Sequence, residues 1–176
     1  MGSSFFRHSI CNEVYQGWDF AKACRHIKET GYSGIEIAPF TLSEDPVNIS
    51  AAERQQYASI MRSEGLEFVG LHWLMVAPKG LHVTTPEDDL RARGWAHISG
   101  LVDLCADLGP NGIMVFGSPL QRNRKGGSTR EEATKRFIEG LAGVAPHAEE
   151  RGVKILVEAL PSNQTDVILS LDEAAG

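Results

Sequence analysis

Short apolar runs alternate along the chain with longer stretches in which apolar residues recur every three or four positions. The longer stretches predict helices, which repeat about every 3.6 residues. The short runs predict strands, which read as continuous apolar segments when both faces are buried. Residues 5–10 read as a first strand. Residues 18–30 read as a helix, with Phe20, Ala23, Cys24 and Ile27 on one stripe and Gly31 as its stop. Residues 34–38 are a second strand, and a polar loop containing Pro39 and Pro46 follows. Ser50, with Glu53 three positions on, predicts a capping box for a helix over 51–64 that Gly65 ends. Residues 66–73 make a third strand, and residues 74–85 a loop. Thr85 followed by Pro86 predicts the start of a helix reaching about residue 108, with Trp95, Ile98, Leu101, Val102 and Cys105 on its apolar stripe. Residues 112–116 are a fourth strand. Ser128 or Thr129 caps a helix to about residue 151, in which Pro146 is expected to kink the last turn. Residues 153–158 are a fifth strand, and Ser170 caps the start of another helix over 171–175.

Strict alternation of strand and helix implies an α/β fold with parallel strands and crossover helices. No linker-like segment divides residues 1–176, so the chain reads as one structural unit. A doubly wound sheet and a (β/α)8 barrel both fit the alternation. The glycine-rich dinucleotide fingerprint is missing after the first strand, where Cys11-Asn12-Glu13 stands, and this weakens the nucleotide-binding version. A whole barrel takes about 250 residues, so this length supplies about four and a half of its eight βα units.

Composition changes the picture little. Apolar residues make up 42% and charged residues 23%, ordinary for a globular domain. The formal net charge of -6 counts against a nucleic-acid partner. A local basic run at residues 121–127 reads as a solvated loop or, alternatively, as a phosphate or anion contact. Three scattered cysteines, Cys11, Cys24 and Cys105, suggest reduced thiols, with Cys24 and Cys105 as core filler. Residues 1–7 lack the apolar core of a signal peptide and no stretch is long enough to span a membrane, so a cytoplasmic location is expected.

Candidate chemistry sits where strands end, because open α/β sheets and barrels bind ligands at the carboxyl ends of their strands. The run Val153-Lys154-Ile155-Leu156-Val157 finishes in Glu158, a carboxylate leaving the sheet at that face. Its structural alternative is a partner for a nearby Lys or Arg, or an acceptor for helix amides. Glu36 closes the second strand and is either a substrate contact or half of an ion pair. His72 closes the third and is either a contact to a substrate hydroxyl or a hydrogen-bonded structural histidine. Trp73 is an apolar wall of the pocket or plain core packing. His8, inside the first strand, reads as packed and satisfied, and His26, His97 and His147 as structural or exposed. His82 stands in the loop after the third strand, placed to help cover the pocket.

Three segments carry a family resemblance: Gly31-Tyr32-Ser33-Gly34-Ile35-Glu36-Ile37, Gly70-Leu71-His72-Trp73, and Ile155-Leu156-Val157-Glu158 followed by Gln164-Thr165-Asp166 and Leu171-Asp172-Glu173-Ala174. In this order the chain resembles the amino-terminal part of the xylose isomerase-like TIM barrels, the sugar isomerases and epimerases of the D-tagatose 3-epimerase type. The resemblance implies a partial (β/α)8 barrel and a small sugar as substrate. It implies that Glu158 is both a metal ligand and an acid–base carboxylate, with Mn2+, Mg2+ or Co2+ as the divalent cation. It also implies that the other ligands, an aspartate, a histidine and a second glutamate, come from strands beyond residue 176. The expectation is therefore a truncated chain with an incomplete site and weak or no activity, its open strand edges inviting a homo-oligomer. The family often follows this glutamate with Pro-Leu-Asn-Arg, whereas Ala159-Leu160-Pro161-Ser162 stands here. In the related apurinic endonuclease branch the histidine at His72 is a zinc ligand, and a further histidine follows the fourth strand. Phe116-Gly117-Ser118-Pro119 has none, which disfavours the phosphodiesterase reading. A noncatalytic barrel fragment is the other alternative.

Overall fold

The computed structural model describes residues 6–175. Five short strands, β1 (Ser9–Cys11), β2 (Gly34–Ile37), β3 (Glu67–Leu71), β4 (Ile113–Phe116) and β5 (Lys154–Val157), form one sheet in chain order. Every neighbouring pair is parallel. Helices α1 (Phe20–Glu29), α2 (Ala51–Ser63), α3 (Asp88–Leu108) and α5 (Arg130–Glu150) make the crossovers. A one-turn helix, α4 (Pro119–Arg122), follows β4, and α6 (Leu171–Ala175) closes the described chain. Sequential parallel strands with a helix after each are the arc of a (β/α)8 barrel.

Local chemistry explains the helix ends. Asp19 caps α1 by accepting the Lys22 amide at 2.9 Å. The Ser50–Glu53 and Thr129–Glu132 capping boxes start α2 and α5, each satisfying two otherwise orphaned amides. The expected start of α3 is wrong by two residues. Thr85 accepts the Glu87 amide at 3.3 Å, but the helix begins at Asp88 with no side-chain cap. Asp88 and Asp89 favour that start through the helix dipole. The α5 helix runs on through Pro146.

The core lies between the sheet and the helices. Ile27, Ile35, Ile37, Leu71, Ile98, Leu101, Phe116 and Phe137 are almost wholly buried, and Cys24 and Cys105 join them as filler. Two readings of strands are corrected. The first strand begins at Ser9, and His8 precedes it exposed, with its carbonyl accepting the Ser33 and Gly34 amides; Phe5 lies outside the described residues. Among the described residues the fifth strand stands at the edge of the sheet and Leu156 is 49% exposed, so the Leu156 face is not buried there. No helix among the described residues is long and apolar enough to cross a membrane.

Candidate active site at the carboxyl ends of the strands

Parallel strands put all their carboxyl ends on one side, so residues far apart in sequence meet there. Glu36 lies in β2, paired with Cys11 of β1 and Gly70 of β3. Its Oε1 accepts the Ser9 hydroxyl at 2.9 Å, and its Oε2 stands 3.5 Å from Nδ1 of His72, the residue after β3. The His72 amide continues the ladder by donating to the Ile37 carbonyl at 3.0 Å, which holds the imidazole over the β2 end. Trp73 has φ of 56°, turns the chain out of the strand, and stacks on His72 with ring centroids 5.8 Å apart. It is 44% exposed, so it is not packed in the core that the described residues form.

Glu36 and His72 perturb one another. The imidazole beside it holds the Glu36 carboxyl below its usual 4.5, against a smaller upward push from burial. The carboxylate in turn raises His72 above 6.5, and the negative charges of Glu158 and Glu13 add to that. Stability from His72 is fully present below 6.5 and is lost as pH rises through its raised value. Stability from Glu36 is present above 4.5 and is lost as pH falls through its lowered value. The pair therefore contributes most between these two pH values. A Glu36→Gln chain is expected to show a lower His72 titration midpoint by NMR, and a midpoint equal to wild type would show that the pair does not form.

Glu158 follows β5, half-buried, with its amide donating to the Phe116 carbonyl at 3.2 Å. Its carboxylate makes no hydrogen bond or ion pair among the described residues, although its charge reaches His72 and Arg122. It rests against Gly117, where any Cβ would overlap Oε2. Cys11 is partly buried in the same crevice. Burial, with Glu13 and Glu36 nearby, pushes its thiol up to about 11, so it stays protonated and is a poor nucleophile.

Several residues stand where the sequence did not put them. His82 is buried, accepts the Thr84 amide at Nδ1 over 3.3 Å, and burial pushes it down to about 4; it is a packed neutral histidine. The run at 121–127 is not a uniformly solvated loop, because Arg122 is buried and Arg124 pairs with Asp166. Asn12, also unforeseen, is buried and ties two loops together. Its side chain accepts the Ala38 amide at 2.8 Å and donates to Thr41 Oγ1 at 2.7 Å. His97, in α3, is buried against the Leu74 carbonyl at 3.0 Å, and His147 meets Asp103 at 3.1 Å.

A family model described as xylose isomerase-like TIM barrel matches residues 24–176. The chain belongs to the xylose isomerase-like TIM barrel family. Solved structures agree on the fold. D-psicose 3-epimerase from Clostridium cellulolyticum H10 superposes with a TM-score of 0.74 at 18% identity, over 96% of this chain and 57% of that one. The apo form of 3-keto-D-glucoside 4-epimerase from E. coli gives 0.72 at 17%, over 95% and 61%. D-allulose 3-epimerase from Methylomonas sp. gives 0.70 at 20%, over 95% and 58%. The chain thus spans somewhat more than half the length of these relatives. A comparison with curated proteins finds no match.

The divalent cation that the family resemblance implies takes several oxygen or nitrogen donors converging on one point. Glu158 offers one free carboxylate. No group of three or more His, Cys, Asp or Glu side chains suited to a metal converges among the described residues. The described residues do not by themselves fit a complete metal site.

Proposed function

We propose that this chain carries the acid–base carboxylate of a sugar isomerase or epimerase, a reaction that moves a proton beside a carbonyl. The observation that carries the reading is Glu158, a carboxylate at the carboxyl end of β5 that no Lys or Arg side chain neutralises through an ion pair among the described residues. Solved relatives of the same fold are named epimerases of D-psicose, D-allulose and a 3-keto-D-glucoside, which supports a small sugar as the substrate class.

Removing a proton beside a carbonyl needs a base at that proton and a donor at the oxygen where charge develops. Glu158 takes the proton on a carboxylate oxygen and returns it to carbon. His72, oriented through Nδ1 by Glu36 and biased by it toward the imidazolium, has Nε2 left to donate to a sugar oxygen. The exposed Trp73 ring beside it offers an apolar face to the C–H side of the sugar. A bound Mn2+, Mg2+ or Co2+ would polarise the sugar oxygens. Glu158 is the candidate ligand here, and the proton steps above rest on side chains alone.

A positioned general base contributes roughly 10²–10⁴-fold by itself, so with no complete metal site among the described residues only slow proton exchange is expected. The test is incubation of D-psicose with the purified chain in deuterium oxide, reading deuterium beside the carbonyl by NMR. Slow incorporation that disappears in Glu158→Gln is expected. Incorporation unchanged by that substitution would overturn the reading of Glu158, and fast turnover would overturn the expectation of weak activity.

A further inference from the structure

Arg122 belongs by sequence to a charged run, yet its side chain is 0% exposed. Nη1 donates to the Phe116 carbonyl at 3.0 Å, and Nη2 donates to the Glu158 carbonyl at 2.7 Å and reaches the Ile168 carbonyl at 3.5 Å. Nε is buried with no acceptor. The guanidinium lies 5.9 Å from the centre of the Phe137 ring and joins no ion pair among the described residues.

This placement is costly. Desolvating a charge is unfavourable, and even a close carboxylate repays that cost only with excellent geometry. An arginine stays charged even so. What it gains here is a set of backbone carbonyls at one place in the fold. Phe116 ends β4, Glu158 follows β5, and Ile168 lies in the loop that returns toward them. Ladder bonds leave the carbonyls at strand ends in need of donors, and a planar fork meets two of them at once where a lysine ammonium offers a single point. The Phe116 carbonyl receives both Arg122 and the Glu158 amide, so the contacts close on one another.

We infer that Arg122 is the positioning residue of the Glu158 site, its fork tying the backbone of Glu158 to the end of β4 and to the loop at Ile168. The backbone from which the carboxylate projects is thereby clamped, while its Oε2 lies against Gly117. Burial lowers the pKa of Arg122 and the negative charge of Glu158 opposes that, so the two residues also support each other electrostatically. The importance of this clamp for catalysis rests on the proposed function, whereas the clamp itself is testable without any sugar.

The experiment is residue-resolved amide hydrogen exchange on the whole chain and on Arg122→Met and Arg122→Lys, with the side-chain carboxyl carbon of Glu158 followed by NMR at one neutral pH. Glu158→Gln assigns that resonance. Both Arg122 variants are expected to exchange the Glu158 amide roughly 10–100-fold faster, the size of one or two lost charge-assisted hydrogen bonds, and to shift its carboxyl resonance. The His72 amide, bonded to Ile37 across the sheet, serves as the control and is expected to keep its protection. Arg122→Lys retains the charge and most of the stem, so it answers the question if Arg122→Met does not fold. Protection that falls evenly over the sheet, or an Arg122→Lys chain indistinguishable from wild type at Glu158, overturns the inference. Failure of the proposed function appears separately, as deuterium incorporation insensitive to Glu158→Gln.

Discussion

A Gly70→Ala chain is expected to melt roughly 10 °C below wild type, or to fail to fold. Gly70 pairs with Glu36 of β2 on one side and with Ile113 of β4 on the other. A Cβ at this position would overlap the carbonyl oxygen, carbonyl carbon and amide nitrogen of Ile113. A side chain could rotate away, but this backbone is part of the ladder and cannot. The β3–β4 ladder pairs Gly70 with Ile113 and Leu71 with Met114, so opening it at Gly70 removes much of what joins the two strands. Overpacking of this kind costs about 3 kcal/mol or more, the upper end for an inserted methyl group. The damage would reach the site, because His72 is two residues on and owes its position over Glu36 to the same strand. Thermal denaturation by circular dichroism measures the effect, and a midpoint within about 2 °C of wild type would refute the steric argument.

The same glycine shows what a sequence displays and what it conceals. Strand and helix order was legible because apolar periodicity and caps are local: Ser50 with Glu53, Thr129 with Glu132, and Gly31 at φ of 97° act within a few residues of themselves. Strand-end residues Glu36, His72 and Glu158 were legible as candidates, because a polar residue closing an apolar run points to one face of a parallel sheet. Their pairing was not, since the Glu36–His72 contact depends on the spatial neighbourhood of β2 and β3 and on the half-exposed stacking of Trp73. Arg122 was the larger miss. Charge pattern places it with Arg124 and Lys125, and only the return of the chain at Ile168 and Glu158 separates one buried guanidinium from its exposed neighbours. His82 misled for the same reason, as a loop position says nothing about whether α3 packs over it. In the structure Gly94 of that helix lies close against the His82 backbone.

Gly117→Ala should leave the fold standing and silence the site. As at Gly70, an added methyl has no room, but here the obstacle is Oε2 of Glu158, the far end of a flexible side chain. The carboxylate can swing away at little cost to stability, so a melting temperature close to wild type is expected. What is lost is position. Under the proposed function Glu158 must meet the proton beside the sugar carbonyl, and a displacement of about 1 Å at a reacting group lowers rates by roughly 10²-fold. Deuterium incorporation into D-psicose should therefore fall to the level of Glu158→Gln while circular dichroism shows an intact sheet. The two glycines separate fold from chemistry: Gly70 faces a backbone that cannot yield, and Gly117 faces a side chain whose placement the proposed reaction needs. Full exchange activity in a folded Gly117→Ala chain would mean that the carboxylate reacts from some other rotamer, and the seat on Gly117 would lose its functional meaning.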